Sequence, residues 1–257
     1  MLGDVVIRGL RVLVAVLAAL GGLAFALADA NSSVTFQTVE TRGRYSSPTQ
    51  ATIEPQQAMV RPSESIEPFG LDTAPVTTGE LLANWSGVQA AIRDEREILE
   101  RCNEIAKLCP VAAKKFLAII AIGRAREGRA RVGVINSAIN LAIRPKHDVH
   151  WSAPLAALTA ETGDCKDYAI LKYAALREAG VAADDVRLVI LRNLAVGEDH
   201  AVVAVRLDGT WTILDNRWQA LVEDTQMRRV IPLFILDQEG VKQFAMQIAR
   251  REPTPTK

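Results

Sequence analysis

Apolar residues recur at intervals of three and four through the first half of the chain, and this spacing is typical of helices with one buried face. It predicts helices over about residues 79–108, 111–127 and 130–143. A fourth helix is predicted to begin at Asp164 and to end before Gly180. Its apolar residues leave little polar surface, so we expect this helix to be largely buried.

Short runs rich in β-branched residues follow the fourth helix and are bounded by turn residues, which is typical of strands. They predict strands at residues 186–191, 200–206, 210–214 and 231–236, before a further helix at residues 240–250. Helices that precede strands indicate an α+β fold, with an N-terminal helical lobe and an antiparallel sheet.

The dipeptide Asp208-Gly209 predicts a two-residue hairpin turn between two of these strands. That register makes His200 and Asp215 diagonal neighbours on one face of the sheet, with Cα atoms about 7–8 Å apart. The two side chains are then within hydrogen-bonding reach. An odd-length loop with a bulge would shift the register by one residue and separate them.

The N-terminus has the features of a secretory signal. Arg8 and Arg11 precede an apolar run over residues 12–28, which ends in the small-residue pattern Ala28-Asp29-Ala30. The run is also just long enough to span a membrane, so an uncleaved anchor is the alternative. Under either interpretation we expect the rest of the chain to be exported.

Three segments are predicted along the chain. Residues 1–30 form the signal peptide or anchor, and residues 31–64 form a flexible linker because they are rich in Ser, Thr, Gln, Glu and Pro without periodicity. Residues 65–257 form one domain. Lys and Arg together number 30, as do Asp and Glu, so the charge gives no reason to expect a nucleic-acid partner.

The three cysteines fit an oxidising compartment. Cys102 and Cys109 are close enough in sequence to form a disulfide, which leaves Cys165 as the odd thiol. On a continuous helix the first two would lie roughly 10 Å apart along the axis, too far for a disulfide. The bridge therefore requires the helix to break before Cys109, and Pro110 favours such a break.

Cys165 follows the predicted N-cap Asp164, and His200 and Asp215 come later in that order. A thiol becomes a useful nucleophile as thiolate, which a helix N-terminus and a nearby imidazole both favour. Asp215 would orient the imidazole while His200 takes the proton of Cys165. Each residue alone is more often structural, but their combination predicts a catalytic triad.

Peptide N–H groups at the start of this helix, including that of Cys165, would face a developing oxyanion. Trp151 or Asn140 is the candidate for a second donor.

Asp164 and Asp167 raise the cost of forming a thiolate beside them, because like charges repel. A hard cation such as calcium bound by both acids, or the ammonium of Lys166, would compensate. Alternatively, the two acids only cap the helix. The sequence His147-Asp148-x-His150 has metal-ligand residue types but no third ligand nearby, so we predict no metal there.

Three motifs carry a resemblance to a known family over about residues 68–240. They are Thr162-Gly163-Asp164-Cys165-Lys166-Asp167-Tyr168-Ala169, Asp199-His200-Ala201-Val202 and Leu214-Asp215-Asn216. They resemble the bacterial transglutaminase-like cysteine proteinases, whose best studied members are the LapG-type periplasmic adhesin proteases.

The resemblance implies a papain-like fold and a periplasmic endopeptidase that cuts large surface adhesins and so disperses biofilm. It also implies an inner-membrane cyclic-di-GMP receptor as partner, and calcium bound through acids before and after the catalytic cysteine. Here Asp164 is kept, but Lys166 stands where those relatives carry Glu. Calcium dependence therefore does not carry over directly, nor does the adhesin substrate, and no other cofactor is expected.

The combined prediction is an exported thiol endopeptidase that uses Cys165, His200 and Asp215. One alternative is another thiol acyl transfer on the same scaffold, such as amide hydrolysis or transamidation. The other is an inactive module that keeps the scaffold only to bind a protein.

Overall fold

Helices occupy the first half of the described chain and strands most of the second, which confirms the predicted α+β class. The computed structural model describes residues 67–147 and 149–245. The predicted signal or anchor at residues 1–30 and the linker at residues 31–64 lie outside these residues. None of the described helices has both the length and the apolar character needed to cross a membrane.

The α-helices of the described chain are α1 (Glu80–Glu104), α2 (Val111–Arg124), α3 (Gly128–Ala142), α4 (Pro154–Ala160) and α5 (Cys165–Glu178). The strands are β1 (Thr73–Pro75), β2 (Arg144–Pro145), β3 (Thr162–Gly163), β4 (Val186–Asn193), β5 (Glu198–Leu207), β6 (Thr210–Leu214), β7 (Val222–Glu223), β8 (Val230–Asp237) and β9 (Gly240–Phe244). Short 3-10 turns connect several of these elements.

The first long helix ends earlier than the hydrophobic pattern predicts. α1 stops at Glu104, and a short 3-10 turn over Ala106–Leu108 follows it. This break brings the Cα atoms of Cys102 and Cys109 to 4.7 Å, and the two residues form a disulfide. The disulfide therefore fastens the end of α1 to the start of α2.

Seven strands form one sheet in the order β1-β9-β8-β4-β5-β6-β7, and β2 and β3 form a separate parallel pair. The β5–β6 hairpin has the predicted register, since Val203 pairs with Leu214. Asp208 and Gly209 have φ angles of 50° and 82°, as a two-residue turn of this kind requires. The ends of β5 and β6 that carry His200 and Asp215 are thereby aligned.

The sheet is buried on both faces. The helices cover one face, where α5 packs on β4 and β5 around Leu188 and Val203. A smaller apolar cluster that includes Val202 and Phe244 covers the other face. α5 is largely buried, as its composition predicts.

The helix predicted over residues 240–250 is wrong for residues 240–244. These residues form β9, which pairs with both β8 and β1. Asp237 accepts a hydrogen bond from the Glu239 backbone N–H, and Gly240 has a φ of 136°, so the chain turns back along β8. Val241 and Phe244 lie three residues apart, as apolar residues of a helix often do. The pairing of this segment with β8 and β1 nevertheless makes it a strand. Residues 246–257 lie outside the described chain.

Candidate active site

Two carboxylates determine where α5 begins. Asp164 Oδ1 accepts a hydrogen bond from the backbone N–H of Lys166 at 3.1 Å, and Asp167 Oδ2 accepts one from the backbone N–H of Asp164 at 3.0 Å. The Asp164 side chain also accepts from the backbone N–H of Asp167, and this bond and the Asp167 bond to Asp164 form a capping box. Cys165 is therefore the first residue of α5. The residue is half-buried, and it is the only one of the three cysteines outside the disulfide.

The same capping box holds the preceding loop. The second oxygen of Asp167 accepts a hydrogen bond from the backbone N–H of Ser152 at 3.0 Å. Burial raises the pKa of Asp167, and the hydrogen bonds from Ser152 and Asp164 offset this only in part. Gly163 is required here, because a Cβ atom at this position would lie 2.7 Å from the Asp167 Cβ.

The hairpin places an imidazole between the thiol and a carboxylate. His200 Nε2 donates a hydrogen bond to Asp215 Oδ2 at 3.0 Å. The Cys165 side chain lies close enough to the His200 ring to raise the pKa of the imidazole. Because Nε2 faces the carboxylate, Nδ1 is the ring nitrogen left for the thiol. The structure thus brings Cys165, His200 and Asp215 together, with the imidazole between the thiol and the carboxylate.

Asp215 is fully buried, and its carboxylate is surrounded by donors. Besides His200, Arg217 donates from its backbone N–H at 2.9 Å and from its guanidinium Nη2 at 2.7 Å. Burial alone would raise the pKa of Asp215. The hydrogen bonds from His200 and Arg217 outweigh burial and hold this pKa well below its usual range. The carboxylate is therefore ionised at neutral pH.

His200 is also buried, with 8% of its surface exposed. Burial lowers the pKa of His200, but its hydrogen bonds to Asp215 and Cys165 and the charge of Asp215 raise it by more. The net shift is upward. The environment thus favours the imidazolium form, which is the form produced when the ring accepts a proton from a thiol.

The two candidates for a second oxyanion donor differ in their surroundings. Trp151 is half-buried in the loop whose next residue, Ser152, is bonded to the first turn of α5. Asn140 is engaged elsewhere, because its Nδ2 donates to the carbonyl oxygens of Asp215 and Trp218 at 3.1 and 3.2 Å. Asn140 therefore supports the Asp215 segment and is not a free donor.

The acids beside Cys165 do not fit a calcium ion. Lys166 Nζ lies 2.6 Å from Asp164 Oδ2, so an ammonium occupies the position that a cation would take on this carboxylate. Both oxygens of Asp167 accept backbone hydrogen bonds. Within residues 67–147 and 149–245, no three His, Cys, Asp or Glu side chains form a group that could hold a metal ion. Asp148 lies outside the described residues.

Sequence patterns did not reveal where the side chains of Arg217 and Lys172 lie. Arg217 follows Asp215 by two residues, and only the folded chain shows that its guanidinium turns back to the carboxylate. Lys172 is a charged residue in the apolar part of α5, and it is 1% exposed. The sequence did contain one sign of this, since a lysine stands within a helix that is predicted to be buried. Lysine side chains are rarely fully buried unless they are paired.

Two clefts are lined by neighbours of this cluster, although neither lining includes Cys165, His200 or Asp215. One of about 520 Å³ has Trp151, His150 and Asn84 in its lining. The other, of about 350 Å³, is lined in part by Arg217 and Trp218, and the Arg217 guanidinium stacks on the Trp218 ring at 4.6 Å. Open space is therefore present beside both the loop before α5 and the Asp215 segment.

Comparison with known proteins gives a family and a fold. A family model described as bacterial transglutaminase-like cysteine proteinase matches residues 96–228, slightly more than half of the chain. This range includes Cys165, His200 and Asp215. No curated protein matches the sequence.

Solved structures of Legionella pneumophila LapG have a similar fold. One is 20% identical with a TM-score of 0.50, and the match covers 58% of this chain and 87% of that one. A calcium-bound LapG structure from the same organism is 21% identical with a TM-score of 0.50, and covers 58% of this chain and 88% of that one. At these identities the likeness supports the fold alone.

We predict that Gly163→Ala destabilises the protein by roughly 1–3 kcal/mol, because the new methyl group would collide with Asp167. Urea unfolding measures this change. Gly87→Ala in α1 is the matched control, since no atom lies within 4 Å of its added Cβ. It should stabilise the protein by roughly 0.5–1 kcal/mol. Equal stability of wild type and Gly163→Ala would contradict the close approach.

We also predict that Asp215→Asn lowers the pKa of His200, because burial then acts without the opposing carboxylate. In the wild type, His200 contributes stability that is complete below pH of about 6.5 and is lost as pH rises through its raised folded pKa. In Asp215→Asn, stability should not fall in this way as the pH rises. NMR titration of the His200 imidazole measures the shift, and Asp208→Asn in the exposed turn is the control. An unchanged His200 titration in Asp215→Asn would refute the coupling.

Proposed function

This chain belongs to the bacterial transglutaminase-like cysteine proteinases, and we propose that it is an exported endopeptidase with Cys165, His200 and Asp215 as its catalytic triad. The observation that carries the proposal is the His200 imidazole, which is hydrogen-bonded to the buried Asp215 carboxylate and lies beside the Cys165 thiol. A nucleophile beside a base that a third group orients is the arrangement that thiol hydrolysis needs.

In the proposed reaction His200 accepts the Cys165 proton, and the sulfur attacks the carbonyl carbon of the scissile peptide bond. The imidazolium then gives its proton to the departing amine, which leaves an acyl group on the sulfur. Water, deprotonated by His200, attacks this thioester and releases the acid product and the thiol. Asp215 keeps the ring oriented throughout.

The oxyanion formed in each step would lie at the amino end of α5. Free peptide N–H groups and the positive end of the helix dipole both favour a negative charge there. We assign the backbone N–H of Cys165 as one donor and place the second in the loop of Trp151. The hydrogen bond between Ser152 and Asp167 supports this placement, because it fixes that loop to the helix start.

We propose a protein substrate from the cell envelope, with a large surface adhesin as the first candidate and control of biofilm as the outcome. The family membership supports this choice. The same resemblance suggests the periplasm as location and an inner-membrane cyclic-di-GMP receptor as regulatory partner. The signal-like N-terminus and the disulfide of Cys102 with Cys109 also fit an oxidising compartment outside the cytoplasm.

Cys165→Ala should abolish cleavage of envelope proteins from the source organism while the fold is retained, because no other thiol is free. We expect a loss of at least about 10³-fold in kcat/KM. The measurement is the appearance of fragments by mass spectrometry, with circular dichroism as the check on folding. The paired variant Cys102→Ser/Cys109→Ser, which keeps Cys165, is the matched control and should still cleave.

Fragments that persist with Cys165→Ala would show that another residue is the nucleophile. If the wild type instead links an added primary amine to glutamine side chains, the scaffold performs transamidation and the endopeptidase assignment is wrong. A wild-type protein that does neither, and whose Cys165 reacts with iodoacetamide no faster than a free thiol, would be a binding module.

Removal of calcium should leave activity unchanged within about twofold, because Lys166 already neutralises Asp164. The test compares kcat/KM with and without a calcium chelator. Lys166→Glu is the informative variant, since it replaces the ammonium by a further carboxylate. This variant should gain a calcium-dependent rise in Tm that the wild type lacks. Complete inhibition of the wild type by chelator, reversed by calcium, would show that Asp164 and Asp167 bind the ion.

A further inference from the structure

The cleft of about 350 Å³ beside Arg217 combines an aromatic surface with positive charge. Its volume falls within the range of pockets that bind ligands. Arg217, Arg228 and Arg229 line it together with Trp218, and none of its lining residues is acidic. The charge of this cleft therefore suits a negatively charged ligand.

Arg217 connects this cleft to the proposed triad. His200 Nε2 and Arg217 Nη2 both donate to Asp215 Oδ2, at 3.0 and 2.7 Å. A single carboxylate oxygen therefore separates the imidazole from a residue that lines the cleft. An extended peptide advances about 3.3 Å per residue, so a few residues of a substrate bound at Cys165 are enough to extend past Arg217.

The Arg217 guanidinium is held in place and still has N–H groups to donate. Its Nε and Nη2 are bonded to Asp215, and the guanidinium stacks on the Trp218 ring at 4.6 Å. Nη1 makes no hydrogen bond to the described residues, and 36% of the side chain is exposed. Because this group is ordered before a ligand arrives, little side-chain entropy is lost on binding.

Arg228 and Arg229 add charge from the loop that joins β7 to β8. Both are exposed, and neither side chain forms an ion pair with the described residues. Asp224, at the start of this loop, is buried and accepts hydrogen bonds from two backbone N–H groups. Within the described chain, both guanidinium groups are therefore available to bind a carboxylate.

Hydrogen bonds hold the walls of the cleft in place. The backbone N–H of Leu194, in the turn between β4 and β5, donates to the carbonyl oxygen of Arg229 at 2.8 Å. In the same turn, the Asn193 side chain accepts a hydrogen bond from the backbone N–H of Ala195 at 2.9 Å. Asn193 and Ala195 also line the cleft. Its boundary is therefore formed by backbone that the fold fixes.

We propose that this cleft is a substrate subsite that binds an acidic side chain of the polypeptide, a few residues from the bond that is cut. The carboxylate accepts hydrogen bonds from Arg217 Nη1 and from the arginines of the β7–β8 loop, and the aliphatic part of the side chain packs on Trp218. Arginine binds carboxylates through charge-assisted hydrogen bonds, which a neutral amide side chain does not form. The assignment rests on the proposed function, because it names the kind of sequence that the endopeptidase prefers.

The first test measures binding and does not require catalysis. Short alanine peptides with acetylated and amidated ends and one central Glu are titrated into Cys165→Ala, and the Trp218 indole N–H is followed by NMR. We expect a saturable shift, and a dissociation constant about fivefold higher for the matched peptide with Gln in place of Glu. Equal affinity for the two peptides, or no binding of either, would overturn the proposal.

Removing charge from the cleft should remove the preference. Arg228→Gln/Arg229→Gln, made in the same background, leaves Arg217 in place and should bind the two peptides equally within about twofold. Arg93→Gln/Arg126→Gln is the matched control, because it removes the same charge from exposed positions outside the cleft. Retained preference in the cleft variant, or its loss in the control, would overturn the proposal. If the double variant does not fold, Arg228→Gln replaces it.

A further peptide distinguishes two sources of the same carboxylate. It carries Gln at the central position and a free C-terminus, so its only carboxylate is at the chain end. We expect it to bind no more tightly than the blocked Gln peptide. Tighter binding, equal to that of the Glu peptide, would show that the cleft takes chain ends and would overturn the assignment to side chains.

Cleavage separates this inference from the proposed function. In a peptide copied from a site cut in an envelope protein, replacing the acidic residue near that site by its amide should raise KM about fivefold with kcat nearly unchanged. A cut site without an acidic residue within a few positions would overturn the inference. If no envelope protein is cut, the proposed function is rejected, and the binding test still decides whether the cleft takes an acidic side chain.

Discussion

The capping box between Asp164 and Asp167 is the constraint on which the site depends. It makes Cys165 the first residue of α5. A start one residue earlier or later would turn the sulfur by about 100° around the helix axis, away from His200. The box also explains the residue before it, since Gly163 leaves room for the Asp167 side chain. A local hydrogen-bond motif thus sets the long-range contact between a helix and a sheet.

The second requirement is a charge buried at the end of β6. Asp215 is fully buried, so its ionised form is tolerated only because His200 and Arg217 donate to it. The backbone of the same segment is fastened by Asn140. These donors come from a strand, a loop and a helix, so the carboxylate is held from several sides. The same hydrogen bonds therefore let Asp215 orient the imidazole of His200 and allow the buried charge to be tolerated in the fold.

Local chemistry made the central geometry predictable. Asp208-Gly209 specifies its own turn, and the turn fixes the register that aligns His200 with Asp215. Asp164 is likewise recognisable as an N-cap from its sequence neighbours. The strand at Gly240–Phe244 was not predictable in this way, because its partners β1 and β8 are distant in sequence.

Groups that act through tertiary contacts were missed for the same reason. The direction of the Arg217 side chain depends on a carboxylate whose burial is known only after the sheet and helices assemble. Likewise, only the assembled fold shows that Lys172 is buried with no hydrogen-bond partner for its Nζ among the described residues. Sequence spacing can predict local features such as turns and helix caps, because the residues involved set their own backbone conformation. The position of a charged side chain that several elements surround can be known only from the fold.

The charge balance beside Cys165 follows a different principle from that of a metal site. Lys166 and Asp164 form an ion pair that is largely shielded from solvent, with 13% and 19% of their side-chain surfaces exposed. A tethered ammonium is present at every calcium concentration, whereas a bound ion is present only above its dissociation constant. It brings one positive charge rather than two, so it offsets the nearby carboxylates less strongly. The positive end of the α5 dipole supplies a further constant contribution. The positive charge that the described structure places beside this thiol therefore comes from the chain itself.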